Sequence, residues 1–95
     1  GPAYVFLFLQ AIINAGENIG LTLEESQALA LKMLQGSAMF AENNISKLET
    51  LIKNVTSKGG TTDQALKHFK EKNFQKIVGN AINAAYKRAE EIGDN

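Results

Sequence analysis

Apolar residues recur along this chain at intervals of three and four rather than two, a helical spacing without strand-like alternation. The predicted fold class is all-α, with about five helices. The first is expected from Ala3 to Asn18, with Pro2 near its first turn, where a missing N–H does no harm. Gly20 suits the left-handed position that closes such a helix. Tyr4, Val5, Phe6, Leu7, Phe8, Leu9, Ile12 and Ile13 cover almost its whole circumference. A helix apolar on every side has to be covered on every side. Few positions in a 95-residue chain are that central, so the pattern predicts a partner chain.

Thr22-Leu23-Glu24-Glu25 has the form of a capping box and opens a long helix to Glu42. Its apolar stripe carries Ala28, Leu31, Leu34, Ala38 and Met39, with Phe40 adjacent. Gly36 lies among the small residues Ser37, Ala38 and Ala41. A glycine inside a helix costs about 1 kcal/mol relative to alanine, so a close packing contact is expected there. Asn43-Asn44 breaks the run. Ser46-Lys47-Leu48-Glu49 repeats the box and starts a short helix through Leu48, Leu51 and Ile52 toward Asn54. After a polar turn, Thr61-Thr62-Asp63-Gln64 has the box form again. The fourth helix is expected from Thr62 to Glu71, with Ala65, Leu66 and Phe69 as its buried side. Asn73 is placed to cap a last helix from Phe74 to Ile92, and Gly93-Asp94-Asn95 reads as a frayed tail.

Ninety-five residues suffice for one domain. The chain is 44% hydrophobic and has no net formal charge, which fits a globular domain and disfavours strongly electrostatic partners. Acidic residues dominate up to Asn44, and lysines cluster later at Lys67, Lys70, Lys72 and Lys76. With no arginine interleaved, that cluster reads as a solvated helix face rather than a nucleic-acid surface. The absence of cysteine removes disulfides, thiol chemistry and zinc–thiolate sites. The apolar run from Tyr4 to Ile13 falls short of the roughly 20 residues a membrane span needs, and it lacks the basic start of a signal peptide. The chain opens on Gly1-Pro2 without methionine, as expected of a fragment or a processed chain.

Catalytic groups are scarce. His68 is the only histidine and reads as a surface or boundary residue, so neither a two-histidine metal site nor a histidine pair is available. Ser57 has no nearby base, and no carboxylate pair suggests acid–base work. Catalytic and metal-ligating residues are therefore expected to be absent. The informative stretch is Asn54-Val55-Thr56-Ser57-Lys58-Gly59-Gly60-Thr61-Thr62. Paired glycines permit positive φ and close approach of a ligand to the main chain. A helix starting just after them turns free N–H groups and the positive end of its dipole toward the turn. That combination suits a carboxylate or phosphate.

Gly1-Pro2-Ala3-Tyr4-Val5-Phe6, Ala15-Gly16 with Gly20-Leu21, Gly36-Ser37-Ala38-Met39 and the Asn54–Thr62 stretch together resemble the C-terminal half of pyrroline-5-carboxylate reductases. Order and spacing agree across nearly the whole chain. The Thr-Ser-x-Gly-Gly-Thr-Thr turn is the most specific part. The resemblance implies an interlaced helical dimerisation domain that follows a Rossmann domain absent from these residues. It implies a cytoplasmic enzyme of proline biosynthesis that reduces 1-pyrroline-5-carboxylate to L-proline with NADPH or NADH. The expected partner is a second copy of the chain, and some members of the family assemble five dimers into a ring. Neither nucleic acid nor membrane is expected as a partner.

By the same resemblance, Ser57, Thr61 and Thr62 hold the substrate carboxylate through hydroxyls and main-chain N–H groups, at the close approach Gly60 allows. Val55 offers its carbonyl to the ring nitrogen, and Asn54 reaches the nicotinamide end of the coenzyme. Two positions depart from the family pattern. Lys58 stands where proline is common, leaving the loop less stiff, and Asp63 stands where many members carry an apolar residue. Asp63 favours the helix start, and its charge opposes a bound carboxylate. The rival readings are a helical dimerisation module without a ligand, in which Gly59-Gly60 merely turns the chain, and a nucleic-acid binder using the lysine face. The reductase reading is preferred to both.

Overall fold

A computed structural model of the chain describes residues 1–93. Five α-helices follow one another: α1 (Pro2–Asn18), α2 (Leu23–Glu42), α3 (Leu48–Asn54), α4 (Thr61–Glu71) and α5 (Phe74–Gly93). A short 3-10 turn, Ile45–Lys47, precedes α3, and no strand occurs among the described residues. The all-α expectation holds, and helix ends fall within a residue or two of those predicted. Gly93 belongs to α5 rather than to a frayed tail; the rest of that expectation concerns residues 94 and 95, outside the described residues. The chain divides into two compact units, Gly1–Leu48 and the part from Glu49 onward.

In the first unit α1 packs against α2. The turn between them is a Schellman motif. Gly20 has φ +109°, its N–H donates to the Glu17 carbonyl at 3.0 Å, and the Leu21 N–H donates to the Gly16 carbonyl at 3.1 Å. The Thr22 box is complete: the Glu25 N–H donates to Thr22 Oγ1 at 3.1 Å, and the Thr22 N–H donates to Glu25 Oε1 at 2.9 Å. Two orphan donors at the start of α2 are thereby satisfied.

The face of α2 that its own chain covers differs from the predicted stripe. Ser26 and Ala30 are the buried residues, and Leu34 is half-buried. These are spaced four apart, and small side chains let the helices approach closely. A Cβ placed on Gly16 of α1 would lie 2.6 Å from Ser26 Oγ. Of the predicted stripe, Leu31 and Met39 remain exposed, Met39 by 71%, and Ala28 and Ala38 are also exposed. The close contact expected at Gly36 is not supplied by the described residues, since a Cβ there would meet none of them within 4 Å.

In the second unit α4 contacts α5, and Phe69 meets Phe74 edge-on with centroids 5.1 Å apart. Of the side chains predicted to be buried on α4, Leu66 is half-buried, while Ala65 and Phe69 are exposed. Asn73 has φ +59°, and its carbonyl accepts the Ile77 N–H at 2.9 Å, which sets α5 off in a new direction. Two predicted capping boxes do not form. Ser46 lies inside the 3-10 turn, because the Asn44 carbonyl already accepts the Lys47 N–H at 2.8 Å. At α4 the N-cap is Gly60, without a side-chain cap bond, and Thr61 is already helical. No described helix is long and apolar enough to cross a membrane.

Candidate functional site

The Asn54–Thr62 stretch lies wholly within the second unit. Helix α3 unwinds through a bifurcated bond in which the Val55 N–H reaches the Leu51 and Ile52 carbonyls, both at 3.3 Å. The Thr56 N–H then donates to the Lys53 carbonyl at 3.2 Å, and the Thr56 hydroxyl donates to the Ile52 carbonyl. The hydroxyl of Thr56 is thus used to finish α3. Those of Ser57, Thr61 and Thr62 make no hydrogen bond among the described residues and belong to exposed residues.

The turn that follows is built around the glycine pair. Gly59 has φ +77°, in the region that favours glycine. The Gly60 N–H donates to the Ser57 carbonyl at 2.9 Å. A Cβ on Gly60 would lie 3.1 Å from that oxygen and 3.4 Å from Ser57 Cβ, so Ser57 is folded directly against Gly60. Helix α4 then begins, and its first intrahelical bond runs from the Gln64 N–H to the Gly60 carbonyl at 3.1 Å. The N–H groups of Thr61, Thr62 and Asp63 open the helix without an acceptor among the described residues. Three N–H donors and three hydroxyls without partners among the described residues thus lie close together in the chain at the start of α4, groups whose chemistry suits an anion. Val55 is 73% exposed, and its carbonyl accepts no hydrogen bond among the described residues. Asn54 is exposed at the C-terminal end of α3, its carboxamide likewise uncommitted.

Asp63 has a role that sequence reading missed. Its Oδ2 accepts the Gly59 N–H at 2.9 Å and lies 3.6 Å from Lys67 Nζ. The Gly59 N–H bond, with a smaller contribution from the Lys67 ammonium, outweighs partial burial and holds this carboxyl below the usual aspartate range. The available signal was an acidic residue three positions after a glycine N-cap, where a carboxylate reaches back toward the preceding N–H groups. His68 is exposed, as are Lys67, Lys70, Lys72 and Lys76. Among the described residues no cluster of histidine, aspartate and glutamate could hold a metal ion.

Residues 1–92 match the family described as Pyrroline-5-carboxylate reductase dimerisation. A pyrroline-5-carboxylate reductase of Pseudomonas aeruginosa is 39% identical over 94 residues, 99% of this chain and 34% of that protein. One from Vibrio alginolyticus is 42% identical over 92 residues, covering 96% of this chain and 34% of its relative. Among solved structures, the pyrroline carboxylate reductase of Plasmodium falciparum with NADP bound superposes with a TM-score of 0.93 at 34% identity. That superposition covers 98% of this chain and 38% of the other. The pyrroline-5-carboxylate reductase of Coxiella burnetii gives a TM-score of 0.90 at 38% identity, covering 96% and 34% respectively. The chain therefore spans about a third of the length of the relatives it matches.

Proposed function

Because this chain belongs to the pyrroline-5-carboxylate reductase family through its dimerisation domain, we propose that it is the dimerising, substrate-holding part of such a reductase. The reaction is reduction of 1-pyrroline-5-carboxylate to L-proline. The partner is a second copy of the chain, alone or within a ring of five dimers, and the enzyme is cytoplasmic. The observation that carries the reading is the unpartnered donor set at the start of α4, Thr61 and Thr62 N–H with the hydroxyls of Ser57, Thr61 and Thr62. Its chemistry suits a carboxylate.

Each residue then has a stated task. Ser57, Thr61 and Thr62 fix the carboxylate, and Gly60 leaves the main chain open to it. The Val55 carbonyl accepts the N–H of the protonated ring imine and so orients the C=N bond. The uncommitted carboxamide of Asn54 suits the nicotinamide end of a dinucleotide. Bound NADPH or NADH supplies the hydride, which adds to the imine carbon. The loop contributes orientation, not acid–base chemistry. Neutral donors suffice for this.

The test is NAD(P)H-dependent proline formation by the full-length protein carrying this domain, compared with Thr62→Ala. The variant is expected to raise KM for 1-pyrroline-5-carboxylate about tenfold, the order of one hydrogen bond to a charged group, with coenzyme binding little changed. An unchanged KM removes Thr62 from the site. The 95-residue chain alone is expected to form no proline; turnover by it would refute the need for a separate dinucleotide domain.

A further inference from the structure

We infer that Asp63 is a positioning residue for the carboxylate loop. Its carboxylate, by accepting the Gly59 N–H, holds the Gly59-Gly60 turn in the form that leaves the Thr61 and Thr62 N–H groups free for substrate. This inference rests on the reading of the loop as the carboxylate subsite.

The physical need is plain. Two adjacent glycines have more conformations open to them than any other pair, and Lys58 before them places no ring constraint on the chain. Two hydrogen bonds hold the turn: the Gly60 N–H to the Ser57 carbonyl at 2.9 Å, and the Gly59 N–H to Asp63 Oδ2 at 2.9 Å. The first is internal to the turn. The second ties it to α4, the helix that presents the donor set. It is charge-assisted and therefore the stronger kind. Lys67, one helical turn further on and 3.6 Å away, faces the same carboxylate oxygen and favours its ionised form. The bond also fixes Gly59 at φ +77°, and that left-handed step folds Ser57 back against Gly60.

The same carboxylate invites the opposite reading, in which its negative charge merely competes with the substrate. Geometry separates the two. Asp63 occupies the N–H of Gly59, and those of Thr61 and Thr62 have no acceptor among the described residues. A competitor would take the donors that the substrate needs; this one takes the donor behind them.

The experiment compares Asp63→Ala and Asp63→Asn in the full-length protein, with Thr62→Ala alongside as the marker of the subsite. Asparagine keeps an acceptor for the Gly59 N–H and discards the charge. Asp63→Ala is expected to raise KM for 1-pyrroline-5-carboxylate about tenfold, the order of a lost hydrogen bond to a charged group. The coenzyme dissociation constant should stay where it was, and Asp63→Asn should recover most of the affinity. A fall in KM in both variants would make Asp63 a competing charge and overturn the inference. So would a lower melting temperature in Asp63→Ala with KM unmoved, or an asparagine variant as impaired as the alanine one. If Thr62→Ala leaves KM unchanged as well, the subsite reading itself fails and this inference goes with it.

Discussion

The two units of the chain order themselves by different means. Before Leu48, two helices approach closely along a seam of small residues, Gly16 against Ser26 with Ala30 one turn further on, and both buried residues of the described chain lie there. From Glu49 onward no described residue is buried. The described contacts of that unit include a hydrogen-bonded loop, the edge-on Phe69–Phe74 pair and the packing of α4 on α5. Both units nonetheless leave large apolar side chains in the open: Phe6 is 67% exposed on α1 and Tyr86 62% on α5. Each unit is a scaffold for apolar surface that its own chain does not cover.

That conclusion is the easiest to break, and its failure would have the largest effect. Sedimentation or light scattering at low micromolar concentration is expected to give a dimer or a multiple of dimers. Phe6→Glu in α1 and Ile82→Glu in α5 should each dissociate it and cost more than about 3 kcal/mol, because a charge is placed in a buried apolar contact. A well-folded monomer, or a dimer indifferent to both changes, would mean that the exposed faces are not an interface.

The seam between α1 and α2 is tested next. Gly16→Val puts branched carbons where Ser26 already stands, at an expected cost of about 1–3 kcal/mol in thermal unfolding. Gly16→Ala should be milder and should be largely rescued by Ser26→Ala. Ser26 Oγ is buried without a hydrogen-bond partner among the described residues, so Ser26→Ala alone is expected to be neutral or slightly stabilising. Equal losses for Gly16→Ala with and without Ser26→Ala would show that the seam tolerates no exchange of volume. The corresponding substitution in the second unit, Gly79→Ala in α5, meets nothing within 4 Å among the described residues. Any loss it causes measures the partner rather than the fold of one chain.

Local features were legible in the sequence because local chemistry decides them. Thr22 and Glu25 form their box, and Gly20 closes α1, since both motifs are complete within six residues. The box at Thr61 was misplaced because two threonines follow two glycines, and Gly60 takes the cap position that a threonine side chain was expected to hold. Asp63, read as a charge that favours the helix and opposes a bound carboxylate, proves to bond the Gly59 N–H, a choice set by where the turn places that donor. Buried faces were less legible. The predicted stripe of α2 stays exposed at Leu31 and Met39 while Ser26 and Ala30 are covered. Periodicity marks an apolar face without saying which chain covers it. The candidate site rests on motif order: Ser57, Thr61 and Thr62 were named from it, and their hydroxyls have no hydrogen-bond partner among the described residues, while that of Thr56 bonds the Ile52 carbonyl.

The smallest expected effect compares one carboxylate from each unit. Glu25 in the first and Asp63 in the second both titrate below their ordinary ranges. Glu25 does so through the Thr22 N–H and then the Thr22 hydroxyl, Asp63 chiefly through the Gly59 N–H. A carboxyl whose pKa is lower folded than unfolded contributes stability at pH values above its ordinary range. That contribution is lost as pH falls through the folded value. Acid unfolding should therefore begin to weaken both contacts just below the ordinary carboxylate range. Glu25→Gln preserves the box, since glutamine serves at that position, and should flatten only the part of the pH profile due to α2. Thr22→Ala removes the box itself, at a cost of about 1 kcal/mol. Asp63→Asn should flatten the part due to the loop. If both substitutions left the acid limb of the stability profile unchanged, neither carboxylate would be linked to folding, and the two hydrogen-bonded starts would be consequences of the helices rather than supports for them.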